Sequence, residues 1–284
     1  MKKCIGGLVV FGLWAGLMIT AAWGQDFQKN YPLAPGGAIN IANVSGEISI
    51  SGYNGTGVTV TAKRVGRDAN VVQILDQSTP GKVMLGVQYP HDGGNYDASV
   101  NFVVQVPSGP NYQFESLSTA SGDIKVSGVA GDLHAKTASG DVTIGPMIGS
   151  VDVKTASGDV EITDVQGTVK ASAASGDVKI HGVAGTVNAR TASGDVDVEL
   201  IRIEGTGDLK FSSASGDVTV KVPAQLSAQV EMSTVNGSVK TDFPLAIQER
   251  QPHGSGQKAS GFLGSGAVKL TISTASGDAK LIRQ

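Results

Sequence analysis

The tetrapeptide Ala-Ser-Gly-Asp occurs seven times in this chain, and its aspartates form the most regular set of side chains that could do chemistry. The copies begin at Ala120, Ala138, Ala156, Ala174, Ala192, Ala214 and Ala275, and the first five are spaced by 18 residues. If the copies stack in register, neighbouring carboxylates lie about 5 Å apart and repel by about 3 kcal/mol at an effective dielectric constant of 20. A divalent cation such as Ca²⁺ would relieve that repulsion. The alternative, which we favour, is that each aspartate caps its own turn in water.

A second candidate chemistry is the cleavage of an acidic sugar chain. Lys136, Lys154 and Arg190 share one outward column, which could hold such a chain. Repeated and equivalent positions do not make a unique acid–base pair, however. The four histidines fall in different columns or loops, so they predict no metal site; they are His91, His134, His181 and His253. We therefore predict no catalytic residue, no metal and no cofactor, and we interpret the cations as solvated surface charge.

The 18-residue period also predicts the elements that carry these side chains. A short fixed repeat indicates a solenoid. Within residues 141–158, apolar residues alternate at Val142 and Ile144 and again at Val151 and Val153, which is the period of a β-strand. Ala156 is the next apolar residue of the unit and recurs in every copy of the tetrapeptide, so we expect the alanine column to face inward. We predict an all-β fold, a parallel β-helix (solenoid) of about 18-residue coils with an N-terminal β cap.

Each coil has two predicted turns, because glycine recurs at two places in the repeat. One turn is a glycine column at Gly131, Gly149, Gly167 and Gly185. The other is the Gly-Asp pair of each tetrapeptide, where glycine bends the chain and aspartate caps backbone N–H groups. We assign these structural corner residues as Gly122, Asp123, Gly140, Asp141, Gly158, Asp159, Gly176, Asp177, Gly194, Asp195, Gly216, Asp217, Gly277 and Asp278.

Composition shifts along the chain predict five segments. Residues 1–24 form a secretory signal peptide, with Lys2 and Lys3 ahead of an apolar run and a small-x-small cleavage site; the alternative is a retained membrane anchor. Residues 25–112 form an N-terminal β cap of mainly antiparallel strands with a degenerate first coil. Residues 113–245 form the solenoid array. Residues 246–265, rich in Gly, Ser and Gln, form a loop, and residues 266–284 form a final coil.

Charge and cysteine content limit the classes of function. Loss of Lys2 and Lys3 with the signal peptide moves the formal net charge from −3 to −5, which argues against nucleic acid as a partner. Cys4 is the only cysteine, so cleavage would leave no thiol. We predict an exported protein, periplasmic, cell-surface or extracellular, without a membrane span after cleavage.

The order of motifs resembles a family of exported bacterial β-strand-repeat proteins, described as candidate adhesins with a domain of unknown function. The resemblance is carried by Ile39-x-Ile41, Ser45-Gly46-Glu47, Val106-Pro107, the Ser-Gly-Asp array and the closing residues 274–278. It implies a parallel β-helix at the cell envelope and implies no catalytic residues. We therefore expect a non-enzymatic, adhesin-like or envelope-structural protein that binds a protein, glycan or surface through a repetitive polar face. The alternative is a carbohydrate-active or Ca²⁺-binding repeat protein.

Overall fold

The computed structural model describes residues 27–91, 94–205, 207–249, 256–266 and 268–284. In these residues the chain forms 24 strands of one hydrogen-bonded sheet, together with a short 3₁₀ turn at Ala69–Val71. The all-β prediction is confirmed. The predicted signal peptide and His253 lie outside the described residues.

The strands follow one another along the chain with short connections. The N-terminal third contains β1 (Phe27–Tyr31), β2 (Ala38–Ala42), β3 (Ile48–Tyr53), β4 (Val58–Val65), β5 (Gln73–Asp76), β6 (Lys82–Gln88) and β7 (Ser99–Pro107). The repeat region contains β8 (Asn111–Ser121), β9 (Ile124–Ser127), β10 (Val129–Ser139), β11 (Val142–Ile144), β12 (Met147–Ser157), β13 (Val160–Thr163), β14 (Val165–Ser175), β15 (Val178–Ser193), β16 (Val196–Arg202), β17 (Leu209–Ser215) and β18 (Val218–Val222). The last part contains β19 (Ala228–Asn236), β20 (Val239–Thr241), β21 (Ala246–Glu249), β22 (Gln257–Leu263), β23 (Val268–Ser276) and β24 (Ala279–Arg283).

Neighbouring repeats pair in parallel, and in the regular part of the array each residue pairs with the residue 18 positions further on. Val142 of β11 pairs with Val160 of β13, which pairs with Val178 of β15. The long strands β10, β12 and β14 pair in the same register. Two ladders therefore run along the stack. We call the outward side chains of β8, β10, β12, β14, the second half of β15 and β17 the long-strand face. The outward side chains of β9, β11, β13, the first half of β15, β16 and β18 form the short-strand face.

The core is a set of apolar columns between the two ladders. Val142, Ile144, Val151 and Val153 are all buried, and their equivalents in the other repeats are buried too. Alternate residues face the solvent, as the pleat of a strand requires. The columns are filled by branched or small side chains, so little space remains beside them. A charged group introduced here would have no partner and no access to water.

The N-terminal third extends the parallel stack, which differs from the mainly antiparallel cap that we expected. Strand β2 pairs in parallel with both β6 and β8, and β3 pairs in parallel with both β7 and β9. Antiparallel pairing is found further out, between β7 and β4, β4 and β1, and β5 and β6. Alternation of apolar residues is the same in parallel and antiparallel strands, so the sequence pattern could not distinguish the two.

The C-terminal end departs from chain order. Strand β23 lies between β17 and β19, and β24 lies between β18 and β20, so the last coil is inserted into the stack. The expectation of a loop over residues 246–265 was wrong for much of its length. Strands β21 and β22 form there, and they pair antiparallel with each other and, through β22, with β19. Antiparallel strands cover β6 and β7 at the N-terminal end and β19 at the C-terminal end, which protects those edges. Strand β20 pairs only with β24 among the described strands.

The core assignment predicts the effect of a buried charge. Val160 is fully buried between its equivalents in the two adjoining repeats, so Val160→Asp places an unpaired carboxylate in an apolar column. We expect a loss of more than about 4 kcal/mol in the free energy of unfolding, measured by urea denaturation followed by circular dichroism. Thr143→Asp, which adds the same group on the exposed short-strand face, should cost less than about 1 kcal/mol. Equal unfolding midpoints for the two variants would refute the column assignment.

Candidate functional site

The corner glycines allow the backbones of adjoining repeats to approach closely. Gly158 has φ +144°, a value that other residues rarely adopt, and a Cβ atom there would collide with the carbonyl oxygen of Gly140 in the preceding repeat. The same holds for the corner glycines at 122, 140, 176, 194, 216, 237 and 277, each against the glycine carbonyl of the adjoining repeat. A larger residue at the corner would push the repeats apart.

The corner aspartates are joined in a chain of hydrogen bonds that runs along the stack. The backbone N–H of Asp159 donates to Oδ1 of Asp141 at 2.8 Å, and the N–H of Asp177 donates to Oδ1 of Asp159 at 2.8 Å. The same bond links each further pair of adjoining corners, including Asp217 with the inserted Asp278. Each aspartate therefore caps the next repeat, whereas we expected it to cap its own turn.

The alanine of each tetrapeptide is exposed, so the expectation that it faces inward was wrong. The preceding residue is the buried one, and it is usually threonine or serine. Its hydroxyl donates to the carbonyl oxygen of the corner glycine in the adjoining repeat. The bonds are Thr137 to Gly122 (3.2 Å), Thr155 to Gly140 (3.4 Å), Thr191 to Gly176 (2.9 Å), Ser213 to Gly194 (2.9 Å), Thr234 to Gly277 (2.8 Å) and Thr274 to Gly216 (2.8 Å).

Two exceptions explain how this hydroxyl column works. Ala173 occupies the column between Thr155 and Thr191 and has no hydroxyl to offer Gly158. At the N-terminal end, the buried Asn43 pairs its amide Nδ2 with the carbonyl of Gly46 at 3.0 Å, and the hydroxyl of Thr119 is left buried without a partner. The carbonyl of Gly46 therefore receives one side-chain donor, as the carbonyls of the threonine-bearing repeats do, whereas the carbonyl of Gly158 lacks the hydroxyl donor found in those repeats. The sequence contains a signal for this hydroxyl column, because most copies of the repeat read (Thr/Ser)-Ala-Ser-Gly-Asp.

Lysines neutralise the corner column at its C-terminal end. Lys280 Nζ lies 2.6 Å from Oδ2 of Asp217, and Lys240 Nζ lies 2.9 Å from Oδ2 of Asp278. The bond from Lys240 and those from Ser238 hold the pKa of Asp278 well below its usual range. The backbone N–H of Asp278 and the Lys280 ammonium lower the pKa of Asp217. Both carboxylates are therefore ionised at neutral pH.

These hydrogen bonds weaken the case for Ca²⁺ at the corners, which rested on repulsion between neighbouring carboxylates. In every linked pair, one carboxylate oxygen already accepts a backbone N–H of the adjoining repeat. Among the described residues, no three His, Cys, Asp or Glu side chains gather in a group that could hold a metal ion. The repulsion between carboxylates is thus offset by peptide dipoles that point toward them.

The long-strand face carries an excess of positive charge. Lys136 pairs directly with Lys154 in the ladder, and Arg190 follows two repeats later in the same column. Lys170 and Lys210 lie in the next column, which Asp152 and His134 share. All five cations are exposed. Across the described residues, Lys136, Lys170 and Arg190 form no salt bridge within 4.0 Å, whereas Lys154 lies 3.9 Å from Asp152 and Lys210 lies 3.2 Å from Asp208.

The short-strand face balances its charges. Lys179 lies in register between Glu161 and Asp197, and Lys125 binds Glu47 at 2.6 Å. The two faces of the stack therefore differ electrostatically although they are built from the same repeat. Sequence reasoning placed Lys136, Lys154 and Arg190 in one column but did not include Lys170 and Lys210, because it did not compare the neighbouring column.

The concave sites offer little for acid–base chemistry. A shallow cleft of about 520 Å³ near the start of the array is lined by Tyr53, Tyr112, Pro35, Pro107 and Pro110, and its described lining includes no carboxylate or histidine. His134 and His181 each lie near one carboxylate, at 3.8 Å from Asp152 and 3.5 Å from Glu199, on opposite faces of the stack. Lys154 also lies 3.9 Å from Asp152, and both pairs sit on open strand faces rather than in a cleft.

The sequence of the described strands matches the model of a known protein family. The chain belongs to the Toastrack DUF4097 family, whose model matches residues 38–282. The family resemblance predicted from the sequence is thereby confirmed. No helix in the described part of the chain is long and apolar enough to span a bilayer.

Solved structures give a more distant likeness. One is a candidate cell adhesion protein from Clostridium sporogenes, 14% identical, with 92% of this chain and 99% of that chain covered and a TM-score of 0.32. Another is a candidate adhesin from Bacteroides fragilis, 14% identical, with 91% and 97% covered and a TM-score of 0.46. No curated protein matches the chain. Both TM-scores are below 0.5, so neither likeness carries an argument about the function of this chain.

The hydroxyl column predicts a stabilising substitution. Ala173→Thr restores the missing donor opposite the carbonyl of Gly158, and an added internal hydrogen bond contributes about 1 kcal/mol to the free energy of unfolding. We expect a gain of that size in urea denaturation. Ala174→Thr adds the same group one residue later, on the exposed side, and should change the free energy by less than about 0.5 kcal/mol. If Ala173→Thr is destabilising, or if the two variants behave alike, the assigned role of the hydroxyl column is wrong.

Proposed function

We propose that this protein is an exported, non-enzymatic, adhesin-like β-solenoid that binds a protein, glycan or surface through its long-strand face. The observation that carries the proposal is the arrangement of that face. It presents exposed side chains at the same positions in successive repeats, with unpaired cations beside a column of exposed alanines. A partner would be held by many weak, repeated contacts.

The parallel pairing at an offset of 18 residues supports a β-solenoid as the architecture. In such a stack each repeat contacts its neighbours, and a long regular surface results. The antiparallel strands on β6, β7 and β19 cover edges of the stack, which supports binding through its faces. The corner residues, from Gly122 and Asp123 to Gly277 and Asp278, are structural elements under this proposal, and no single copy is a site.

The non-enzymatic role is supported by the equivalence of the repeats. Catalysis by general acid and base needs two groups whose environments differ. The corner aspartates from Asp123 to Asp195 repeat one arrangement, with one oxygen of each bound to a peptide N–H of the adjoining repeat. The alternative of a carbohydrate-active enzyme would require turnover, so release of reducing ends from any member of a polysaccharide panel would contradict our proposal.

Site-directed blocking of one face tests the proposal directly. Cys4 is the chain's only cysteine, so a Cys4→Ser background allows one new thiol to be labelled with a bulky maleimide-polyethylene glycol. Ala156→Cys places the label on the long-strand face, and Thr143→Cys places it on the short-strand face; both positions are exposed. The measurement is the amount of bacterial envelope material retained by the immobilised protein.

We expect the label at residue 156 to reduce retention about tenfold, because it covers several repeats, while the label at residue 143 leaves retention within about twofold of the unlabelled protein. Equal retention for the two labelled proteins would contradict the assignment of the long-strand face. Circular dichroism of both labelled proteins controls for folding.

A further inference from the structure

We infer that the ligand of the long-strand face is a linear polysaccharide bearing carboxylate groups, lying along the stack across successive repeats. This inference rests on the proposed function and adds the chemical class of the ligand. Its basis is a basic stripe, which we define as Lys136, Lys154, Lys170, Arg190 and Lys210. These cations lie in two neighbouring columns of one flat ladder.

The basic stripe is arranged in a way that costs stability. Lys136 and Lys154 are directly opposite each other in parallel strands, and like charges at such positions are destabilising. On the short-strand face the same geometry places Lys179 between Glu161 and Asp197, which is favourable. The column of Lys136, Lys154 and Arg190 has no acidic residue in register with it across these repeats, so this column is left ready for an anion.

The length and spacing of the basic stripe fit an extended polymer. Successive repeats in a β-stack are about 4.8 Å apart, so the stripe spans about 19 Å from Lys136 to Lys210. One repeat is comparable to the length of one sugar residue in an extended chain. A polymer with a carboxylate on each residue would therefore meet a cation at each repeat from 136 to 210, in one column or the other.

The side chains between the cations suit a hydroxylated polyanion. Ser172 accepts a hydrogen bond from Nε of Arg190 at 3.0 Å, which fixes the guanidinium and leaves its other donors for a carboxylate. His134 and Asp152 also lie in these columns, and Lys154 approaches Asp152 at 3.9 Å. Ser118, Ser172, Asn188 and Ser212 occupy further outward positions. Hydroxyl and amide groups of this kind bind sugar hydroxyls.

Other polyanions fit this face less well. Single-stranded nucleic acid is held by stacking of its bases on aromatic side chains, and the two described columns of the basic stripe contain no Phe, Tyr or Trp. The corner aspartates form an acidic column that runs parallel to the stripe; Asp159 is five residues from Lys154, just past the end of β12. A duplex or a lipid surface broad enough to cover both columns would also face that acidic edge, whereas a single sugar chain would not.

The experiment uses oligogalacturonate of about six residues as the probe and measures affinity by isothermal titration calorimetry at low and moderate salt. Lys136→Gln/Lys154→Gln/Arg190→Gln removes three cations from the basic stripe. The matched control Lys179→Gln/Lys221→Gln/Lys240→Gln makes the same change in net charge elsewhere on the stack. We expect the first variant to weaken binding about tenfold or more and the control to stay within about threefold.

Fully methyl-esterified oligogalacturonate keeps the hydroxyl groups and lacks the charge, so we expect it not to bind. Equal losses in the two triple variants, equal binding of the ester, or tighter binding of single-stranded DNA or anionic vesicles would overturn the inference. If the charged probe does not bind while the label at residue 156 still blocks retention, the polysaccharide inference fails and the proposed function stands. If the label has no effect, the proposed function fails.

Discussion

The architecture depends on how two backbone groups are satisfied at each Ser-Gly-Asp corner. The bend interrupts the parallel ladder between repeats and leaves the aspartate N–H and the glycine C=O without backbone partners. Buried or half-buried peptide groups must be paired, because an unpaired one costs about 1–3 kcal/mol. Asp141 accepts the N–H of Asp159, and Thr155 donates to the carbonyl of Gly140. Two side chains thus replace two ladder bonds at the point where the chain must turn.

This replacement bond also fixes the register. The aspartate of one repeat binds the aspartate of the next, so a slip of one residue would break every corner bond along the stack. The same pattern is kept where chain order fails, since the inserted Asp278 donates to Asp217 and accepts the N–H of Ser238. A coil from the end of the chain therefore fits between β18 and β20 because it carries the same corner. The flat faces, and any binding by repeated contacts, follow from this register.

Much of the stack could be predicted from the sequence, because strict periodicity ties each residue to its equivalents. The core columns at Val142, Ile144, Val151 and Val153 follow directly from alternation. Ala156 was placed on the wrong side because it is apolar; strict alternation from Val151 and Val153 leads to Thr155, whose buried hydroxyl satisfies a corner carbonyl. The insertion of β23 and the parallel pairing of β6 could not be predicted, since a periodic pattern gives the faces of a strand but neither its neighbours nor its direction.

Hydrogen exchange at the corner amides tests the central claim most directly. The N–H of Asp177 lies at an exposed turn, yet its bond to Oδ1 of Asp159 at 2.8 Å should protect it. We expect it to exchange within about tenfold of the ladder amide of Val178, measured by two-dimensional NMR, and we expect Asp159→Ala to remove that protection from Asp177 while Val178 stays protected. Ala224 and Gln225, in the connection between β18 and β19, provide the reference for unprotected amides. If the Asp177 N–H of the unmodified protein exchanges as fast as theirs, the account is contradicted.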